Sequence, residues 1–145
     1  MASMSDHTED NLPQLVFENT DWANIGDAGG LRGSVTPGSF WIMLLTADPT
    51  DAGTQTNECT YTSYARVAVA RSTAGWGTTS GVTTNDADIA FPAATGGSET
   101  ATHAAVVDTV TSGEILFHGA LSSSIVITSG VQPKILAGQL SITWA

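Results

Sequence analysis

Three histidines, His7, His103 and His118, are the first candidates for acid–base chemistry. Only His103 has a carboxylate a few residues away on the same apparent strand, Asp108. Five residues apart on a strand, the two side chains point to opposite faces, so they do not form a pair able to pass a proton. His103 and His118 therefore read as buried or interface histidines bonded to backbone. Serine is plentiful, but no Gly-x-Ser-x-Gly elbow presents one as a nucleophile. Asp48, Asp51, Asn57 and Glu58 bring several oxygens into one segment, the minimum a calcium site needs. Their spacing does not match an EF-hand loop, and a solvated acidic loop is the better reading. Asp86 and Asp88 share a strand face and read as a wet edge that discourages aggregation. The glycine-rich run from Gly26 to Gly33 follows no strand and lacks the Lys-Ser/Thr ending of a phosphate loop. No catalytic, cofactor-binding or metal-binding set is expected, and the chain reads as not an enzyme.

Interface chemistry is the stronger possibility. Strong cations are scarce, and Arg66 and Arg71 could each fork onto a carboxylate inside the subunit or across an interface. Their odd spacing sends them to opposite faces of one predicted strand. Trp22, Trp41, Trp76 and Trp144 supply large amphipathic surfaces. Core packing suits Trp41 and Trp144, whereas Trp76, between Gly75 and Gly77, is expected at a loop tip where it can meet another chain. Trp22, Trp41, Arg66, Arg71 and Trp76 are the candidate interface residues.

The elements that must carry these groups follow from composition and pattern. At 145 residues the chain suffices for one substantial core. A formal charge of −10, with Arg32, Arg66, Arg71 and Lys134 as the strong cations, argues against binding to a phosphate backbone. Nucleic acid is not an expected partner. The longest apolar run is six residues, far short of the roughly 20 a membrane span requires, so no membrane partner is expected either. The N-terminus shows no basic and apolar signal segment, and the single Cys59 cannot form an internal disulfide, which suits folding in a reducing cytoplasm.

Phe40-Trp41-Ile42-Met43-Leu44-Leu45 is that six-residue run, and it predicts a strand buried on both faces. Either an N-terminal segment, such as Leu15-Val16-Phe17, or a sister subunit is expected to cover its outer face. Met1 to Asn11 reads as a disordered or partner-dependent arm, and Thr20-Asp21 as the start of a helical turn through Trp22 and Ile25. Further strands are expected over Tyr61 to Arg71, Asp86 to Phe91, Ala101 to Val107, Ile115 to Leu121, Ile125 to Ile127, Val131 to Leu136 and Leu140 to Trp144. About eight short strands broken by Gly, Ser and Pro predict an all-β fold. The class is an antiparallel β-sandwich, jelly-roll-like or immunoglobulin-like, with a short N-terminal helix or arm. Residues 1–38 form the expected arm and helix, partly extended, and 39–145 the sandwich domain.

Leu45-Thr46-Ala47-Asp48-Pro49, Asn57-Glu58, Tyr64-Ala65-Arg66-Val67-Ala68 and Ile89-Ala90-Phe91-Pro92-Ala93-Ala94-Thr95 follow one another in an order that resembles a known family. It comprises small structural proteins of tailed bacteriophages, usually described as tail-fibre-like or head-decoration proteins. Thr102-His103, Leu116-Phe117-His118-Gly119-Ala120-Leu121 and Ile135-Leu136-Ala137-Gly138-Gln139-Leu140-Ser141-Ile142 extend the resemblance across residues 39 to 144. It implies a non-enzymatic, multimeric virion component assembled in the host cytoplasm. The leading expectation is a capsid cement protein, a homotrimer on the outside of the head that binds the major capsid protein. The alternatives are a tail or tail-fibre-associated virion protein and a carbohydrate-binding adhesion module using Trp76 or Tyr61. Departures lie in the long acidic arm with its Gly29-Gly30 loop, and in Ala104-Ala105 where family members carry an aromatic residue and a glycine.

Overall fold

The computed structural model describes residues 4–25 and 30–144. Helix α1 (Asp6–Pro13) runs into a π-helical turn (Gln14–Glu18). Among the described residues nine strands follow: β1 (Ser39–Leu45), β2 (Val67–Ala70), β3 (Trp76–Thr79), β4 (Val82–Asn85), β5 (Ile89–Ala90), β6 (Ser98–Val107), β7 (Ile115–Thr128), β8 (Lys134–Ile135) and β9 (Ser141–Thr143). They form a four-stranded sheet in the order β2-β1-β6-β7, a three-stranded sheet β3-β4-β9 and a two-stranded ribbon β5-β8. Strands dominate and the β1–β6, β6–β7, β3–β4 and β4–β9 pairs are antiparallel, which bears out the all-β sandwich class with one short N-terminal helix.

Two compact units are present, each discontinuous in sequence. The first comprises Met1–Ser39, Ala70–Asp88 and Ile135–Ala145, and the second Phe40–Val69 and Ile89–Lys134.

In the first unit Asp6–Pro13, most of which falls in the stretch expected to be a disordered or partner-dependent arm, forms α1. Its acids support the helix: Asp6 and Glu9 occupy the first turn, where a carboxylate complements the helix dipole. The Ser5 carbonyl accepts from the N–H of Thr8 and Glu9. Asp10 Oδ1 accepts from Gly81 N at 2.8 Å, which ties the helix to the β3–β4 hairpin. That hairpin turns on Ser80 and Gly81, both at positive φ, the type I′ geometry that matches strand twist. The helix ends at Asn19 in the left-handed conformation, and the Asn19 amide pairs with both Ser34 N and Ser34 O. No helix starts at Thr20: Trp22 and Leu31 exchange backbone hydrogen bonds as a β-bridge. The expected stop at Gly26 and Gly29 lies outside the described residues. Phe17 is fully buried, edge-on to Trp76 at 4.7 Å and to Trp144 at 6.1 Å.

In the second unit β1 is buried on both faces, as its sequence predicts. Trp41, Met43 and Leu45 form one apolar cluster with Ala105, Val107 and Ile115. The acidic segment after β1 approaches β7 beside this cluster. A side chain at Gly53 would lie against Ile115, Asp48 and Asp51 reach His118, and Gln55 Nε2 donates to Gly113 O at 2.6 Å. A loop of the same chain therefore adjoins the cluster that carries Trp41.

The expected strand from Tyr61 to Arg71 is only four residues long. Tyr61 to Tyr64 make a turn instead, with Tyr64 N bonded to Tyr61 O and Ser63 at positive φ. Likewise the Asp86 to Phe91 strand shrinks to Ile89–Ala90. By contrast, Ile115–Leu121 and Ile125–Ile127 merge into the single 14-residue strand β7. Ala120 pairs with His103 and Ile125 with Ala101, so Leu121 to Ser124 bulge opposite Thr102 alone.

Candidate functional site

Arg66 lies just before β2 and points inward, its side chain 4% exposed. Nε donates to Glu58 Oε1 and Nη2 to Glu58 Oε2, each at 2.8 Å, the bidentate geometry that a planar guanidinium favours. Nη2 also donates to Gln55 Oε1, and Nη1 to the carbonyls of Thr109 and Ser112. All five donors of the guanidinium are thus used. Tyr64 completes the cluster by donating its hydroxyl to Glu58 Oε1 at 3.0 Å while accepting from Leu44 N at 3.1 Å. The Glu58 hydrogen bonds hold Arg66 above its usual pKa, and burial pushes the Tyr64 phenol up. Nearby, Glu99 Oε1 accepts from the N–H of Thr60 and Tyr61. Burial, then the charge of Glu99, raise the Cys59 thiol to about 12. Arg66, Tyr64 and Cys59 therefore hold their protons near neutrality, and the arginine has no donor left for a ligand. The arrangement clamps the Gln55–Glu58 segment to the Thr109–Gly113 turn.

Arg71, just after β2, makes a second clamp within the first unit. Nε donates to Val16 O, Nη2 to Leu15 O and Nη1 to Pro37 O, at 2.7, 3.2 and 3.1 Å. The carbonyls of the π-helical turn are satisfied by this cation, which also complements the negative end of a helix. Neither arginine lies on β2, so the picture of two faces of one strand is corrected.

The tryptophans divide in the same manner. Trp76, expected at a loop tip, opens β3 and is 0% exposed, its ring packed edge-on against Phe17. Trp41 is half-buried against Met43, Leu45, Ala105 and Val107. Trp22 is buried, and its indole N–H donates to His7 Nε2 at 3.2 Å. His7, Asn11, Trp22, Ala23, Asn24 and Ile25 line an open pocket of about 350 Å³. Tyr61 is 4% exposed and bonded through its hydroxyl to Pro92 O. Neither Trp76 nor Tyr61 offers a ring face on which a sugar could stack.

His103 Nδ1 lies 2.9 Å from Thr102 Oγ1, while Asp108 Oδ1 accepts from Glu114 N. His118 instead meets Asp48 at 3.4 Å and Asp51 at 3.9 Å, a meeting no spacing rule reveals because 70 residues separate His118 from Asp48. Among the described residues no group of three or more His, Cys, Asp or Glu could hold a metal ion. Among them, too, no helix is long and apolar enough to cross a membrane.

One surface feature went unread in the sequence. Among the described residues β7 has β6 as its single neighbour, and from Ile115 to Pro133 the chain carries no Asp, Glu, Lys or Arg. Leu116 and Val126 on this strand are 41% and 63% exposed. The missing signal was the length of the uncharged run, obscured by three serines that looked like a break.

The fold is thus an antiparallel β scaffold tied by two internal arginine clamps, with one long uncharged edge. Residues 3–143 match the family model described as Podophage GP4 fiber I protein gp80, and the chain belongs to that family. It is a structural protein of the bacteriophage virion. No curated protein matches it.

Proposed function

We propose that this chain is a fibre-associated component of the virion, a non-enzymatic building block that acts as a homomultimer. The family match over residues 3–143, with its fibre description, is the observation that carries this reading. It favours the tail-fibre alternative over the capsid cement protein that the sequence alone suggests. The chemistry agrees with a passive structural role. Arg66, Glu58 and Tyr64 in the second unit spend their hydrogen bonds on one another, on Gln55 and on backbone. A charge of −10 keeps the chain off packaged nucleic acid. Trp76 and Tyr61 are too buried to serve as the sugar platforms of an adhesion module.

Separating purified particles into heads and tails and probing each fraction with an antibody to this chain tests the proposal. Signal that follows the tail and fibre fraction is expected. Signal that follows DNA-filled heads alone would restore the cement reading and bring back the major capsid protein as partner.

A further inference from the structure

We propose that copies of this chain join through the outer edge of β7 at Ile125–Thr128, which adds to the β2 edge of the next copy. This deepens the multimeric virion reading and rests on it. A strand with one neighbour turns a row of N–H and C=O groups outward, and soluble proteins normally guard such rows with lysine, proline or bulges. β7 carries neither lysine nor proline.

The Leu121–Ser124 bulge divides the edge into two halves. The first half is guarded: Asp48 and Asp51 stand at His118, and a second acidic chain would meet them. The second half is open. Glu99, which pairs with Ile127 across β6, directs its carboxylate to Thr60 N and Tyr61 N. Val126 is left 63% exposed.

Charge selects the occupant. Two copies bearing −10 each repel over most of their surfaces, so they can approach only where neither presents acid. The opposite edge of the same sheet meets that condition. β2 is Val67-Ala68-Val69-Ala70, uncharged and four residues long like Ile125–Thr128, with Ala68 exposed. Two different edges on one sheet give a head-to-tail contact, which closes into a ring when the rotation per copy permits. A two-fold contact of β7 with itself would leave β2 unused.

Sedimentation equilibrium of the purified full chain, with far-ultraviolet dichroism to check folding, tests the proposal. The wild-type chain should associate reversibly. Val126→Lys and Ala68→Lys should each weaken association by about tenfold or more, since a charge is buried at either side of the same contact. Thr79→Lys, which adds the same charge at an exposed position of β3, should leave association unchanged. A wild-type chain that stays monomeric overturns the proposal without touching the particle fractionation. Dissociation by Val126→Lys but not Ala68→Lys overturns the β2 pairing, and association untouched by both substitutions overturns the surface.

Discussion

Arg66 grips Glu58 through two hydrogen bonds of 2.8 Å, eight residues back along the chain, and the same guanidinium reaches Thr109 O and Ser112 O more than forty residues ahead. Segments remote in sequence are thereby fixed by one side chain. Removing it leaves a largely buried carboxylate with the Tyr64 hydroxyl as its remaining donor, and takes the arginine's hydrogen bonds from Gln55 Oε1, Thr109 O and Ser112 O. Arg66→Met should cost about 3 kcal/mol, a breakage penalty distinct from the pair's net worth. Arg66→Lys should recover only part, since an ammonium cannot fork onto Glu58 and still reach both carbonyls. Urea unfolding of the two variants and of Arg66→Met with Glu58→Gln checks this; the double variant should be more stable than Arg66→Met alone.

Asn85 plays a comparable part in the first unit. It is 1% exposed, its amide donates to Ala87 O and Leu136 O, and its Oδ1 accepts from Leu140 N. Asn85→Leu should destabilise by about 1–3 kcal/mol, because Ala87 O and Leu140 N lose this partner and Leu136 O keeps only Gln139 N. Asn85→Asp should be worse near neutrality, since a carboxylate would face two carbonyls. Its deficit relative to the wild type should shrink as pH falls and the acid becomes protonated. Thermal melts of both variants across a pH series read the difference.

High pH should unfold the chain through a small set of groups. Burial foremost raises Cys59 and Tyr61 to about 12 and raises Tyr64 as well. Each holds its proton more tightly folded than unfolded, so the stability it contributes is complete below its ordinary value. That stability is lost as pH rises from about 9–10 through about 12. Tyr61 and Tyr64 are the two tyrosines of the chain, so tyrosinate absorbance reports on them alone. The absorbance should rise in step with loss of the circular dichroism signal. A rise well before unfolding would contradict the burial assigned to both rings.

The N-terminal helix should be held by its contact with the hairpin turn. Asp10→Ala removes the acceptor for Gly81 N and should cost about 1 kcal/mol. Hydrogen exchange should quicken through Asp6–Pro13 while β1 and β6 remain protected.

Parts of this fold were legible because they depend on local pattern. Six apolar residues in a row, Phe40 to Leu45, need cover on two faces whatever surrounds them, and β1 is buried on both. Alternation at Ser141–Thr143 and the proline before Lys134 likewise announce a short strand and a shortened one. The misread parts depend on contacts that local pattern does not contain. Asp6–Pro13 looked like a disordered arm because its stabilising partner, Gly81, lies 71 residues from Asp10. Trp76 looked exposed because glycine neighbours usually mark a loop, whereas Phe17 draws it into the core. Ser122–Ser124 looked like a break between strands, yet a bulge carries the strand through them. The scarcity of cations pointed to Arg66 and Arg71 as important, but not to the inward use of both.

Cryo-electron microscopy of the intact particle tests the central claim most directly. Density is expected at the tail fibres into which the β2-β1-β6-β7 sheet fits, with the Val126 edge of one copy against the Ala68 edge of the next. Density for this chain confined to the outer surface of the head, with none on the tail, would contradict it.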